Sequence, residues 1–252
     1  MSARILSLSS LLCALSLSGL GCSGAPGRPG AGSVVSRPGQ VLNFATLYTE
    51  NCSACHGASG KNGAAISLAN PVYLAYAGEA NLERVTANGV PGTLMPPFAQ
   101  SSGGALTDQQ IHALADGMIQ NWSRPGALTG QTPPSYSSVS AGDATQGQKA
   151  FATFCGRCHG ADGMGQESLS GSKGAATGSL VNPSYLALVS DQNLRTMIVS
   201  GQPEQGMPDW RQDLSGAESR ALTDQEIADI VAWLATHRTS APGQPYASGE
   251  QR

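Results

Sequence analysis

Two short constellations constrain this chain more than anything else in it: Cys52-Ser-Ala-Cys55-His56 and Cys155-Gly-Arg-Cys158-His159. Each heads a copy of the same longer unit. Asn70-Pro71-Val72-Tyr73-Leu74-Ala75 after the first is matched by Asn182-Pro183-Ser184-Tyr185-Leu186-Ala187 after the second. Asn81-Leu82 then matches Asn193-Leu194, Gly89 matches Gly201, Met95-Pro96 matches Met207-Pro208, and Leu106-Thr107-Asp108 matches Leu222-Thr223-Asp224. The stretch from His159 to Asn182 is nine residues longer than its counterpart and rich in Gly and Ser, which makes the extra length loop. A repeat of this size reads as two domains in tandem.

The shared motif has a chemistry of its own. Two thiols three positions apart on a tight helical turn can reach the two vinyl groups on one edge of a porphyrin. The next residue then sets its imidazole beneath the iron, so Cys-x-x-Cys-His is the attachment pattern of haem c. A redox dithiol has no need of two copies each followed by His. A four-Cys zinc site would have to gather pairs that lie far apart in the chain. Composition agrees with two large cofactors: aromatics are 5% and charged residues 12%, a thin supply of side-chain core for two domains. With Cys13 and Cys22 near the N-terminus, no further cysteine remains for a structural disulfide.

Helices follow from capping and periodicity. Thr223-Asp224-Gln225-Glu226 is a capping box, and Ile227, Ile230, Val231 and Leu234 recur after it at helical spacing. Thr107 with Gln110 repeats the signal, followed by Ile111, Leu114, Ala115 and Met118. Tyr73-Leu74 with Leu82, and Tyr185-Leu186 with Leu194, predict short helices between each motif and the later methionine.

Each copy resembles a class I cytochrome c domain: an N-terminal helix, the Cys-x-x-Cys-His turn, a loop with short helices, a Met-Pro loop and a C-terminal helix. The resemblance implies an all-α fold of two small helical domains in tandem, each around one covalent haem. It covers nearly all of the chain after residue 40, with domain one at 41–125, a Pro/Ser-rich uncharged linker at 126–140 and domain two at 141–238. In this family a glycine eight residues before the first motif cysteine lets the first and last helices cross closely against a large aromatic. Here Gly147, Phe151 and Trp233 fit that pattern, whereas the aligned residues of the first copy are Phe44, Tyr48 and Gly117. Large and small are exchanged between the helices with the contact volume kept. Phe44 is therefore expected over Gly117, and Trp233 over Gly147.

The resemblance makes Cys52, Cys55, Cys155 and Cys158 the covalent anchors of two haem c groups, with His56 and His159 as proximal iron ligands. Met95 and Met207 occupy matching places and are the expected distal ligands. A following Pro stiffens each loop and removes a backbone donor, and a thioether is a soft neutral ligand that favours ferrous iron. Met164 lies too near its own motif to reach the opposite face, while Met118 and Met197 fall on apolar helix faces. His112 and His237 have no counterparts at the aligned positions, Ala228 and Asn121.

Residues 1–22 read as an export signal. Arg4 is followed by an apolar stretch from Ile5 to Leu17, too short and too polar to span a bilayer. It ends in Ser18-Gly19-Leu20-Gly21-Cys22, which resembles a lipoprotein cleavage site with Gly19 where Leu is usual, so Cys22 is the expected lipid anchor. Residues 23–40 are a Gly/Pro-rich tether, and residues 239–252 a tail. A net charge of -3 without a basic stripe excludes a nucleic-acid partner.

The expected function is extracytoplasmic: an envelope or periplasmic diheme cytochrome, held to a membrane through its lipid, passing single electrons in a respiratory chain. Its partners would be redox proteins, whether a quinol-oxidising complex, a dehydrogenase or a terminal oxidase, and no catalytic residue is assigned. The alternative is a peroxidase-like or thiosulfate-oxidising diheme oxidoreductase with one haem catalytic.

Overall fold

A computed structural model describes residues 37–166, 177–211 and 220–239. The expected signal segment and Cys22 lie outside these residues, as do most of the tether and nearly all of the tail. The described elements are helices joined by loops, turns and isolated bridges. The first copy contains α1 (Phe44–Asn51), α2 (Ser53–His56), α3 (Pro71–Asn88) and α4 (Asp108–Trp122). The second contains α5 (Ala144–Phe154), α6 (Gly156–His159), α7 (Pro183–Leu188), α8 (Asp191–Ser200) and α9 (Asp224–Ala235).

Local chemistry sets the helix ends. Both expected capping boxes form: the Thr107 hydroxyl accepts from Gln110 N and the Thr223 hydroxyl from Glu226 N, while the Gln110 and Glu226 side chains reach back. Asn70 and Asn182 cap the next pair, each Oδ1 accepting two backbone N–H groups ahead of a Pro whose missing N–H is no loss there. The two copies break at matching places. Gly78, at φ 68° and ψ 159°, is non-helical and divides α3 into two helical segments. In the second copy the chain breaks between α7 and α8, where Val189 is extended and Ser190 caps the next helix.

The first and last helices of each copy cross as the exchanged residues require. A Cβ on Gly117 would stand 2.3 Å from the Phe44 ring, and one on Gly147 would stand 1.9 Å from the Asp229 carbonyl oxygen and 2.9 Å from Trp233 Cβ. Phe151 stacks at 4.6 Å from Trp233, and Phe44 meets Trp122 edge-on at 5.3 Å. Around these crossings lie two cores. Leu47, Tyr48, Tyr73, Leu74, Leu114 and Met118 belong to the first, and Phe151, Leu186, Leu194, Ile230, Trp233 and Leu234 to the second.

A third core joins the copies. Tyr76 of α3, Val199 of α8, Trp210 and Ile227 of α9 are buried together, with Val72, Leu128 and Tyr136 packed against them. The Pro/Ser-rich segment expected as a linker is thus a packed strap. Its Tyr136 carbonyl accepts from the Tyr76 hydroxyl at 2.9 Å and from Gln192 at 2.7 Å. The Ser135 carbonyl accepts from Nε and an η nitrogen of Arg195, whose guanidinium also pairs with Asp224.

The α5–α9 crossing gives a direct test. Gly147→Ala drives a methyl into backbone and should cost about 1–3 kcal/mol, the usual range for overpacking. Gly117→Ala meets side-chain atoms instead and should cost less. Thermal unfolding of the two variants checks the order.

Candidate functional site

Each Cys-x-x-Cys-His motif is a single helical turn. Cys55 N and His56 N both donate to Cys52 O, at 3.2 and 3.0 Å, and Cys158 N and His159 N to Cys155 O, at 3.1 and 3.0 Å. The turn follows directly on α1 or α5, so the helix crossing fixes where the motif stands. Cys52 is buried and Cys55 exposed. The first thiol of each motif is driven up by burial and then by its neighbouring cysteine, Cys52 to about 11 and Cys155 to about 12. That is opposite to the lowered thiol of a redox dithiol. The cysteine pairs do not converge either: among the described residues, the group with ligand atoms close enough for a metal ion is Glu79, Glu83 and His112.

His56 is buried, and its Nδ1 lies 2.8 Å from the Ile66 carbonyl. That bond puts the proton on Nδ1 and leaves the Nε2 lone pair free. Burial lowers the imidazole's affinity for a proton, opposed by the Ile66 bond. His159 is also lowered by burial, and its ring stands 6.4 Å from Phe151. Its buried Nδ1 has no hydrogen-bond partner among the described residues.

The two methionine loops share one construction. Val90 N donates to Met95 O at 3.0 Å, and Gln202 N to Met207 O at 2.9 Å. Beneath each loop a glycine closes the preceding helix with positive φ, 66° at Gly89 and 64° at Gly201. A Cβ on Gly89 would stand 2.6 Å from the Pro96 carbonyl carbon, and one on Gly201 2.6 Å from that of Pro208. The glycines therefore supply both the turn and the room for the Met-Pro backbone to lie flat on the helix end. Met95 and Met207 are half-buried.

The other candidates go elsewhere. Met118 is buried in the first core, the Met197 thioether meets the Tyr185 hydroxyl at 3.9 Å, and Met164 is 61% exposed. His112 bonds Glu83 at 2.6 Å on the surface, and His237 packs against Trp233.

Residues 144–238 match the family described as cytochrome c, and residues 39–116 that described as cytochrome c oxidase, cbb3-type, subunit III. The chain carries two cytochrome c domains in tandem. Each domain binds one haem c covalently, and the neutral thiols, the helical turns and the free His56 Nε2 fit that group. A curated relative, the cbb3-type cytochrome c oxidase subunit CcoP of an Azospirillum species, is 25% identical over 204 residues. The match takes in 75% of this chain and 63% of the relative, so the chain spans about two thirds of that protein's length at most. Among solved structures, a chain of the Kuenenia stuttgartiensis reducing HAO-like protein complex Kustc0457/Kustc0458 aligns at TM-score 0.45 and 18% identity, covering 81% of this chain and 100% of its own.

Sequence reasoning missed what lies between the domains. The Asn-Pro pairs were visible as repeat marks, and an Asn before Pro is a helix-start signal. Nothing in the pattern told that Asn70 is 3% exposed while its counterpart Asn182 is exposed.

Gly201→Ala tests the loop construction. The new methyl would strain a positive-φ position and push against the Pro208–Asp209 peptide, with an expected loss of about 1–3 kcal/mol. Thermal unfolding measures it.

Proposed function

We propose that this protein is an extracytoplasmic one-electron carrier with two His/Met-ligated haems, Cys52, Cys55, His56 and Met95 serving the first and Cys155, Cys158, His159 and Met207 the second. The observation that carries the reading is the duplicated pairing of a histidine, on the helical turn that presents two thiols, with a methionine loop clamped on a glycine. Haem c supplies an Fe(III)/Fe(II) couple when both axial positions are filled. The chain's part is then to hold ligands still and keep water out. Ile66 orients the His56 ring through its carbonyl, and the α1–α4 and α5–α9 crossings fix the turns that carry the ligands. A filled sixth position leaves no place for substrate, which favours electron exchange at the haem edge over catalysis.

Location and partners belong to the same proposal. Residues 1–22 would direct export, and a lipid on Cys22 would be the anchor. No helix among the described residues is long and apolar enough to cross a membrane. The relative named as a cbb3-type oxidase subunit supports a place beside a membrane redox complex, delivering electrons to a terminal oxidase or receiving them from a dehydrogenase or a quinol-oxidising complex.

Optical and potentiometric titration of the purified protein tests the core of this reading. We expect two haems, far-red methionine–iron absorption from both, two distinguishable one-electron steps, and a reduced spectrum that carbon monoxide leaves unchanged. Prompt carbon monoxide binding at one haem would replace the carrier with the enzyme reading. The anchor is tested separately: Cys22→Ser should move the protein from the membrane fraction to the soluble envelope fraction with its haem content intact.

A further inference from the structure

The seam between the domains reaches one haem site from the other. Asn70 follows the haem loop of the first domain, and its Oδ1 caps α3 by accepting from Val72 N at 2.9 Å and Tyr73 N at 3.3 Å. Its Nδ2 crosses the seam and donates to Ser200 O at 2.9 Å and Gly201 O at 3.3 Å. Gly201 is the glycine on which the Met207 loop lies. Three residues earlier, the Ser67 hydroxyl donates to the carboxylate of Glu204, within the same loop. Ser67 in turn follows Ile66, whose carbonyl holds the His56 ring. A cavity of about 420 Å³ at this junction is lined by Asn70, Pro71 and Val72 on one side and Met207, Pro208 and Asp209 on the other.

The contact has no repeat-related twin. Asn182, in the matching place of the second domain, is exposed, and Leu188, the counterpart of seam residue Tyr76, is 56% exposed. The first domain therefore presents its α3 start to the methionine loop of the second, and the relation is head-to-tail. Asn70 is also fully committed at this position: both oxygen and nitrogen ends of its amide are used, which explains why a polar side chain can be buried there without penalty.

We infer that the first domain holds the distal methionine loop of the second, with Asn70 and Ser67 as positioning residues for Met207. The inference rests on the reading of Met207 as an iron ligand. Asn70 holds the backbone where α8 gives way to the loop, at Ser200 and Gly201, and Ser67 holds the Glu204 side chain within it, so movement of the loop away from the first domain works against these bonds. Opening the Met207–iron bond is therefore resisted by the contacts of the domain seam. Among the described residues no such bond reaches the Met95 loop. The two haems should differ in how readily an external ligand displaces the methionine.

The test uses the full-length holoprotein and two variants, Ser67→Ala and Asn70→Ser, the second chosen because Ser keeps an N-cap oxygen while losing the reach across the seam. Displacement of methionine by imidazole in the ferric protein is followed through loss of the far-red absorption, resolved by haem with a Met95→His background. Losing these bonds should speed displacement at the second haem roughly tenfold for the Asn70 change and several-fold for Ser67, the size expected of ordinary hydrogen bonds. Displacement at the first haem, read in a Met207→His background, should stay unchanged. Equal rates at the second haem in parent and variants would overturn the inference while leaving methionine ligation standing. A parent with no far-red absorption from the second haem would remove the ligation reading, and the inference with it.

Discussion

The crossing of the first and last helices fixes everything that follows in each domain. The Cys-x-x-Cys-His turn grows directly from the end of the first helix, so the distance between the helices decides where thiols and imidazole stand. In the second domain the approach is closest, with Gly147 facing the Asp229 carbonyl and Trp233 folded over it. In the first domain the large residue has moved to the other helix, Phe44 against Gly117. Interiors tolerate such exchanges when volume is kept and resist them when it is not. The haem turns are the same in both domains although large and small residues at the crossing have changed places.

Burial of polar groups shows where the chain is specified most tightly. Arg195 is 2% exposed at the seam, yet only part of its guanidinium is used, by the Ser135 carbonyl and the Asp224 carboxylate, and one η nitrogen is buried without a partner. A buried cation held this way adds little net stability over an apolar residue, but it penalises every arrangement that leaves it unpaired. Its partners come from the strap and from α9, so the pairing selects one docking of the strap against the second domain. Tyr76 and Gln192 add to this by meeting at the Tyr136 carbonyl. A stretch whose composition reads as a spacer thereby becomes the element that sets the relation of the two domains.

Most of the fold was legible because it repeats. Capping boxes at Thr107 and Thr223, the Asn-Pro helix starts and the glycine–methionine spacing each occur twice, and a signal seen twice in register is hard to produce by chance. The inverted crossing was legible for the same reason, since the exchanged residues stood at matching places. The seam was not legible, because it uses faces that the repeat makes look alike. Asn70 and Asn182 have the same neighbours in sequence and the same capping bonds, and only tertiary contact buries one of them. The packing of the linker was not legible either, because lack of charge with Pro and Ser is a composition that a packed segment shares with a flexible one.

Covalent haem alone would make this chain two carriers on a string. A packed seam makes it something narrower, because electron exchange between two centres depends on their separation, and a fixed docking removes the averaging that a loose tether would impose. The same docking makes the two haem sites unequal. At the first, His56 shares its Nδ1 proton with the Ile66 carbonyl, which fixes the orientation and tautomer of the ring. At the second, the described residues give His159 no such acceptor, and the methionine loop is braced from outside by another domain. The seam thereby makes the second methionine loop a joint product of both domains, while Val90 and Met95 close the first loop within its own.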